Sequence, residues 1–153
     1  MEYLDVELQG LDSFGIAKSF KLRDFLGKTV LLYFYPKDNT SGCTLQAQEL
    51  RDYAQQFEGK ATVVGVSPDG IKSHEKFFNA HNLNFVLLSD VDKILAQQFG
   101  VWVEKTMYGK KYMGILRSTF LLDQTGKVAQ EFRNVKVDGH AQKILDYLNV
   151  EES

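Results

Sequence analysis

Six consecutive apolar residues, Val30-Leu31-Leu32-Tyr33-Phe34-Tyr35, run straight into Pro36, and no other stretch constrains the fold as much. A short unbroken apolar run reads as a strand buried on both faces, the place of a central strand in a parallel sheet. Pro36 ends it, because proline has no N–H to give a ladder. Cys43, Ala47, Leu50, Ala54 and Phe57 then recur at spacings of four and three with Gly59 as a stop, which predicts an amphipathic helix. The only cysteine of the chain stands at this strand-to-helix seam.

The rest of the chain repeats the pattern and then changes it. Leu4 to Phe20 alternates loosely, broken by Gly10 and Gly15, and is expected to be a hairpin or extended arm covering one sheet edge. Leu22 to Leu26 suggests a helical turn closed by Gly27. Ala61–Val66 and Phe85–Leu88 read as further buried strands, each followed by a helix: one carrying Ile71, Phe77, Phe78 and Ala80, the other Val91 to Phe99, capped by Ser89 or Asp90 and stopped by Gly100. Lys105 to Met113 reads as a loop or irregular strand pair. Ile115–Leu122 and Lys127–Arg133 flank the turn Asp123-Gln124-Thr125-Gly126 and predict an antiparallel hairpin, and Asp138 is placed to cap a last helix bearing Ala141, Ile144, Leu145 and Leu148. The order βαβαβα then ββα predicts an α/β fold: a mixed central sheet flanked by helices, with an N-terminal extension, in a single domain over residues 1–153.

Composition narrows the function. A chain of 153 residues hides about 70% of its unfolded surface in one core, so it needs no staples. Its net charge of −2 is spread along the chain, and Lys110-Lys111 is the notable adjacent basic pair, so no nucleic acid or membrane partner is expected. The longest apolar run falls far short of the ~20 residues of a membrane-spanning helix. Acids among Met1 to Glu7 argue against a secretory signal, and one cysteine cannot make an internal disulfide, so a cytoplasmic location is expected. His74 and His81, seven apart, would sit about 10 Å apart on a helix, too far to share a metal, and His140 is isolated. The turn after the first strand lacks both G-x-G-x-x-G and a P-loop lysine, which disfavours a nucleotide site.

Cys43 lies on the apolar line of its own helix, where a free cysteine is ordinarily a small buried hydrophobe. Its position in the first turn argues for more. A thiol attacks only as thiolate, and unsatisfied N–H groups at a helix start, with the positive end of the dipole, favour that anion. Thr40 or Ser41 is placed to cap the helix, and Gly42 permits close approach by a second molecule. Arg117, among apolar neighbours, calls for an anionic partner. Trp102 is read as a packing residue.

Tyr33-Phe34-Tyr35-Pro36-Lys37-Asp38, Thr40 and Gly42-Cys43-Thr44 resemble the active-site segment of the peroxiredoxins, in particular the bacterioferritin comigratory protein or PrxQ group. The signature of a proline, three residues, Thr or Ser, two residues and cysteine is met by Pro36, Thr40 and Cys43. Further matches run through Arg51-Asp52, Leu87-Leu88-Ser89-Asp90, Phe99-Gly100-Val101-Trp102, Gly114-Ile115, Arg117 and Phe120 to Lys127. The resemblance implies a thioredoxin-like fold and a thiol peroxidase that needs no metal or organic cofactor. It makes Cys43 the peroxidatic cysteine, Thr40 a hydroxyl that hydrogen-bonds the hydroperoxide, Pro36 a shield over the thiolate and Arg117 its positive partner, with Gly42 beside the substrate.

The chain departs from that group in ways that bear on mechanism. Where many members carry a resolving cysteine five residues on, it has Gln48, and residues five apart on a regular helix point about 140° away from each other in any case. The expectation is therefore a 1-Cys cycle resolved by an outside thiol, whether thioredoxin, glutaredoxin or a small thiol, in a monomer or weak homodimer. Ser41 replaces a frequent proline, Gln46 replaces a frequent glutamate, and the N-terminal arm lacks the usual Ala-Pro-x-Phe pattern. The competing reading is a thioredoxin-fold redox sensor or adaptor, oxidised once at Cys43 without efficient turnover.

Overall fold

The computed structural model describes residues 1–152. In chain order its strands are β1 (Leu8–Leu11), β2 (Ala17–Phe20), β3 (Val30–Phe34), β4 (Thr62–Ser67), β5 (Val86–Ser89), β6 (Trp102–Met107), β7 (Lys110–Ile115), β8 (Ser118–Leu122) and β9 (Val128–Arg133). The helices are α1 (Ser41–Asp52), α2 (Ala54–Phe57), α3 (Ile71–Ala80), α4 (Ile94–Gln98) and α5 (His140–Glu152), with short 3₁₀ turns at Glu2–Asp5 and Leu22–Phe25. Seven strands form one mixed sheet in the order β2-β1-β5-β4-β3-β8-β9, and β6 and β7 form a separate two-stranded ribbon.

The apolar run predicted to be central is central. β3 pairs in parallel with β4 (Val30↔Thr62) and antiparallel with β8 (Val30↔Leu122), and all five of its residues are buried. Its alternation sorts them into two cores, one per face. Val30, Leu32 and Phe34 pack with Val64, Val66, Phe99, Phe120 and Leu122, whereas Leu31, Tyr33 and the following Tyr35 pack with Cys43, Leu50, Phe77, Leu121 and Ile144. β4 is thinned by Gly65 for a reason: a Cβ there would come within 2.9 Å of the Tyr33 ring. The arm is the expected hairpin, β1 pairing with β2 and capping the β5 edge (Gln9↔Ser89).

Four local expectations are corrected. The first long helix is interrupted at Tyr53 (φ −90°, ψ 7°), whose hydroxyl donates to Gln142 Oε1 of α5 at 3.0 Å. The helix expected from Val91 to Phe99 shortens to Ile94–Gln98, because Asp90 reaches past Lys93 (φ 58°) to accept the N–H groups of Leu95 and Ala96 at 3.2 and 2.9 Å. Lys105 to Met113 is a regular ribbon, Lys105 facing Tyr112. At the start of α5, the Ala141 N–H is taken by the Glu49 carboxylate of α1.

Candidate active site

The thiol sits where β3 hands over to α1. Tyr35 still gives its N–H to the Val66 carbonyl at 3.0 Å, after which Pro36, half-buried, opens a short loop in which Asn39 adopts φ 59°. Thr40 occupies the N-cap position, and the first intrahelical bond runs from the Thr44 N–H to the Thr40 carbonyl at 2.9 Å. The amides of Gly42 and Cys43 therefore belong to the unsatisfied first turn, where the dipole is positive. The expected side-chain cap is absent, because the Thr40 hydroxyl instead donates to the Lys37 carbonyl at 2.7 Å and closes the loop. With its hydrogen committed there, the exposed oxygen keeps lone pairs to accept from another molecule.

Cys43 is 2% exposed, and Arg117 Nη2 donates to its Sγ at 3.2 Å. Arg117 comes from the far end of the chain and does not lie within a strand as expected. The predicted strand Ile115–Leu122 is broken at Leu116-Arg117, a link pinned by the Leu116 N–H to the Val101 carbonyl (2.8 Å) and by the Val135 N–H to the Arg117 carbonyl (2.9 Å). That break swings the guanidinium out of the sheet ladder and across to α1. Its other nitrogen, Nη1, donates to Gln46 Oε1 at 2.6 Å.

Gln46 is the residue that the sequence reading undervalued. It is wholly buried, one helical turn from Cys43 on the same face, and its Nε2 has no hydrogen-bond partner. That spacing was the signal available. A neutral amide holds Arg117 without drawing on its charge, so the guanidinium remains a full cation toward the sulfur. Gly42 keeps this face open: a Cβ there would lie 3.4 Å from Arg117 Nη2 and 3.8 Å from Val137.

Three further groups share the surroundings. The Tyr33 phenol is pushed well above its ordinary range by burial first and then by the charges of Cys43 and Asp38, so it stays a neutral hydroxyl. Burial, with Arg117 and Lys143 nearby, lowers the His140 imidazole from 6.5 to about 4, and its Nε2 lies 2.8 Å from the Thr119 hydroxyl. Lys105 of β6 lays its stem along Gly114. Burial and Arg117 lower its ammonium while Cys43 raises it, which marks a second cation near the site that nothing in its ambiguous segment announced. Gln48, at the expected resolving position, is half-buried with Nε2 3.5 Å from His81 Nδ1. The histidines His74 and His81 do not converge, but Asp38, Asp69 and His74 do, with ligand-type atoms within 4.8 Å of one another.

A mixed thioredoxin-like sheet presenting a buried thiol at a helix start, with a guanidinium on its sulfur, defines a cysteine-centred redox protein. Residues 2–131 match the AhpC/TSA family, and the chain belongs to it, within the Bcp/PrxQ group of peroxiredoxins. It is 47% identical to peroxiredoxin Bcp of Bacillus subtilis, over 94% of this chain and 90% of that protein, and 44% identical to peroxiredoxin Bcp of Escherichia coli, over 83% and 82%. Among solved structures it resembles the Xanthomonas campestris bacterioferritin comigratory protein, studied for alkyl peroxide reduction, with a TM-score of 0.90 and 39% identity over 99% of this chain and 94% of that one. Two structures of Xanthomonas campestris peroxiredoxin Q carry serine at one or the other of two cysteines, whereas this chain has a single cysteine. No helix among the described residues is long and apolar enough to cross a membrane.

Proposed function

We propose that this chain is a thiol peroxidase that reduces hydrogen peroxide and organic hydroperoxides through a sulfenic acid on Cys43, resolved by an external thiol. The observation that carries the reading is the guanidinium of Arg117, 3.2 Å from a sulfur in the first turn of α1. Helix start and cation together stabilise a thiolate. The thiolate attacks one peroxide oxygen along the O–O axis, the S–O bond forms, the O–O bond breaks, and the departing alkoxide or hydroxide takes a proton from water. Arg117 and the amides of Gly42 and Cys43 are aimed at the charge that develops, while the Thr40 oxygen accepts the hydrogen of the peroxide and Pro36 screens the thiolate from solvent.

The second half of the cycle follows from the single cysteine. An outside thiol condenses with the Cys43 sulfenic acid to give a mixed disulfide and water, and a second thiol releases Cys43, so one hydroperoxide and two thiols become an alcohol, water and a disulfide. Thioredoxin, glutaredoxin and small thiols are the candidate reductants, the whole chain acts as one domain in the cytoplasm, and it works as a monomer or weak homodimer. No metal or organic cofactor enters the steps. Cys43→Ser is expected to bring peroxide consumption with added thiol to background, and retained turnover would sink the mechanism. Repeated turnovers on one protein molecule separate the enzyme from a sensor oxidised only once.

A further inference from the structure

Asp38 lies between Pro36 and Thr40, yet it is buried while its neighbours Lys37 and Asn39 are exposed. Donors surround its carboxylate. The Tyr35 hydroxyl donates to Oδ1 at 2.6 Å, the Ser73 hydroxyl donates to Oδ2 at 2.8 Å, and His74 Nδ1 lies 2.6 Å from Oδ2. Its backbone N–H donates to Asp69 Oδ2 at 2.8 Å, an oxygen that also accepts from the Ser67 hydroxyl at 2.7 Å. Asp38 is thereby tied to the end of β3, the end of β4, the turn after it and α3.

His74 is wholly buried, with Nε2 2.9 Å from the Leu88 carbonyl of β5. A carbonyl only accepts, so Nε2 carries a hydrogen. A carboxylate already serving two hydroxyl donors only accepts as well, so Nδ1 also carries one. Both ring nitrogens protonated make an imidazolium, and a buried imidazolium against a carboxylate is an ion pair whose remaining valences are filled. The ligand-type atoms of Asp38, Asp69 and His74 are all engaged in these bonds, so the cluster closes on itself and not around a metal.

We propose that Asp38 and His74 are a positioning pair for the peroxidase reaction: their buried ion pair fixes the Pro36–Thr40 loop, and through it the Thr40 hydroxyl, relative to the Cys43 sulfur. This rests on Cys43 being the peroxidatic residue. The lever is short, since the Lys37 carbonyl that accepts from Thr40 belongs to the residue just before Asp38. The pair carries no net charge, so removing both members displaces the loop while leaving the charge felt by Cys43 unaltered. A neutral pair that positions and a cation that stabilises the thiolate therefore leave different traces.

The test combines a spectrum with a variant. Long-range proton–nitrogen spectra of reduced wild-type protein at neutral pH are expected to show both His74 ring nitrogens protonated, and a single protonated nitrogen overturns the ion pair. The double variant Asp38→Asn/His74→Gln is expected to react with hydrogen peroxide about 10- to 100-fold more slowly, the scale of a misplacement near an ångström, with the ultraviolet thiolate absorbance of Cys43 unchanged. Wild-type speed, or thiolate lost together with speed, overturns the positioning role. Should that variant fail to fold, Ser73→Ala removes one donor to Asp38 and is expected to slow the reaction about tenfold or less, again at constant thiolate. Wild-type protein that consumes no peroxide would instead overturn the reading of Cys43, and the nitrogen spectrum would still decide the ion pair.

Discussion

Two polar clusters flank the Pro36–Thr40 loop, and they handle burial in opposite ways. The side-chain donors and acceptors of Asp38 and His74 have all found partners, and the charges of the pair cancel. Around Cys43, among the described residues, the cation of Arg117 meets only the sulfur and a neutral amide, Gln46 Nε2 has no partner, and the amides of Gly42 and Cys43 belong to the unsatisfied first turn of α1. A satisfied cluster holds still, because any displacement breaks bonds that water cannot reach to replace. An unsatisfied one holds bonding capacity in reserve for a molecule that brings its own charge, which in the proposed reaction is the anion that develops as an O–O bond breaks.

The contrast breaks most visibly at Arg117. Arg117→Gln removes the cation while keeping a donor, and it is expected to lower kcat/KM for hydrogen peroxide by about 10²- to 10³-fold, the cost of losing a preorganised donor to developing charge. Stopped-flow oxidation checks it; a loss below tenfold would mean that the helix start alone supplies the stabilisation. Unlike the Asp38→Asn/His74→Gln variant, this one is also expected to lose thiolate absorbance at neutral pH.

Gln46→Glu sharpens the same contrast with a smaller effect. The carboxylate is expected to keep the bond to Arg117 and to draw the guanidinium charge toward itself, so the thiolate absorbance and the peroxide rate both fall, the rate by about tenfold, the worth of ~1.4 kcal/mol, while thermal stability holds. Unchanged thiolate absorbance would show that Gln46 serves Arg117 by shape alone.

His140 bears on stability and not on rate. Folded His140 resists protonation until about pH 4, while the unfolded side chain takes a proton below about 6.5. The unfolded state thus binds more protons in that window, so this contribution is complete above pH ~6.5 and is lost as pH falls to about 4, to a total of about 3 kcal/mol. Denaturant titrations of His140→Gln, which can still bond the Thr119 hydroxyl, are expected to show a correspondingly shallower decline over that interval; an identical slope would show that His140 is not the group responsible.

How much of this was legible depends on how far apart the cooperating residues lie. Val30 to Tyr35, the line from Cys43 to Leu50 and the turn at Asp123 to Gly126 carry their structure in their own spacing, and the element order and sheet type followed from them. The candidate site was legible through the spacing of Pro36, Thr40 and Cys43, and through a resemblance that reached Arg117, which the structure brings to the Cys43 sulfur. What spacing cannot show is a side chain that leaves its element. Asp90 reached forward to shorten α4, the Leu116-Arg117 link broke a strand to deliver a guanidinium, and Asp38 met His74 from 36 positions away. Glu49 taking the α5 amide is the same kind of event. Each satisfies a buried group through tertiary contact, which periodicity does not encode.

The central claim is that one thiol does the chemistry and the other comes from outside. Reduced protein given one equivalent of hydrogen peroxide, trapped with a sulfenic-acid reagent and weighed intact, tests it directly. The expected product is a monomer with one trapped sulfenic acid on Cys43, which in an untrapped sample is discharged by added thiol with return of peroxide-consuming activity. A covalent Cys43–Cys43 dimer as the main product, or peroxide consumed with Cys43 unmodified throughout, would contradict it.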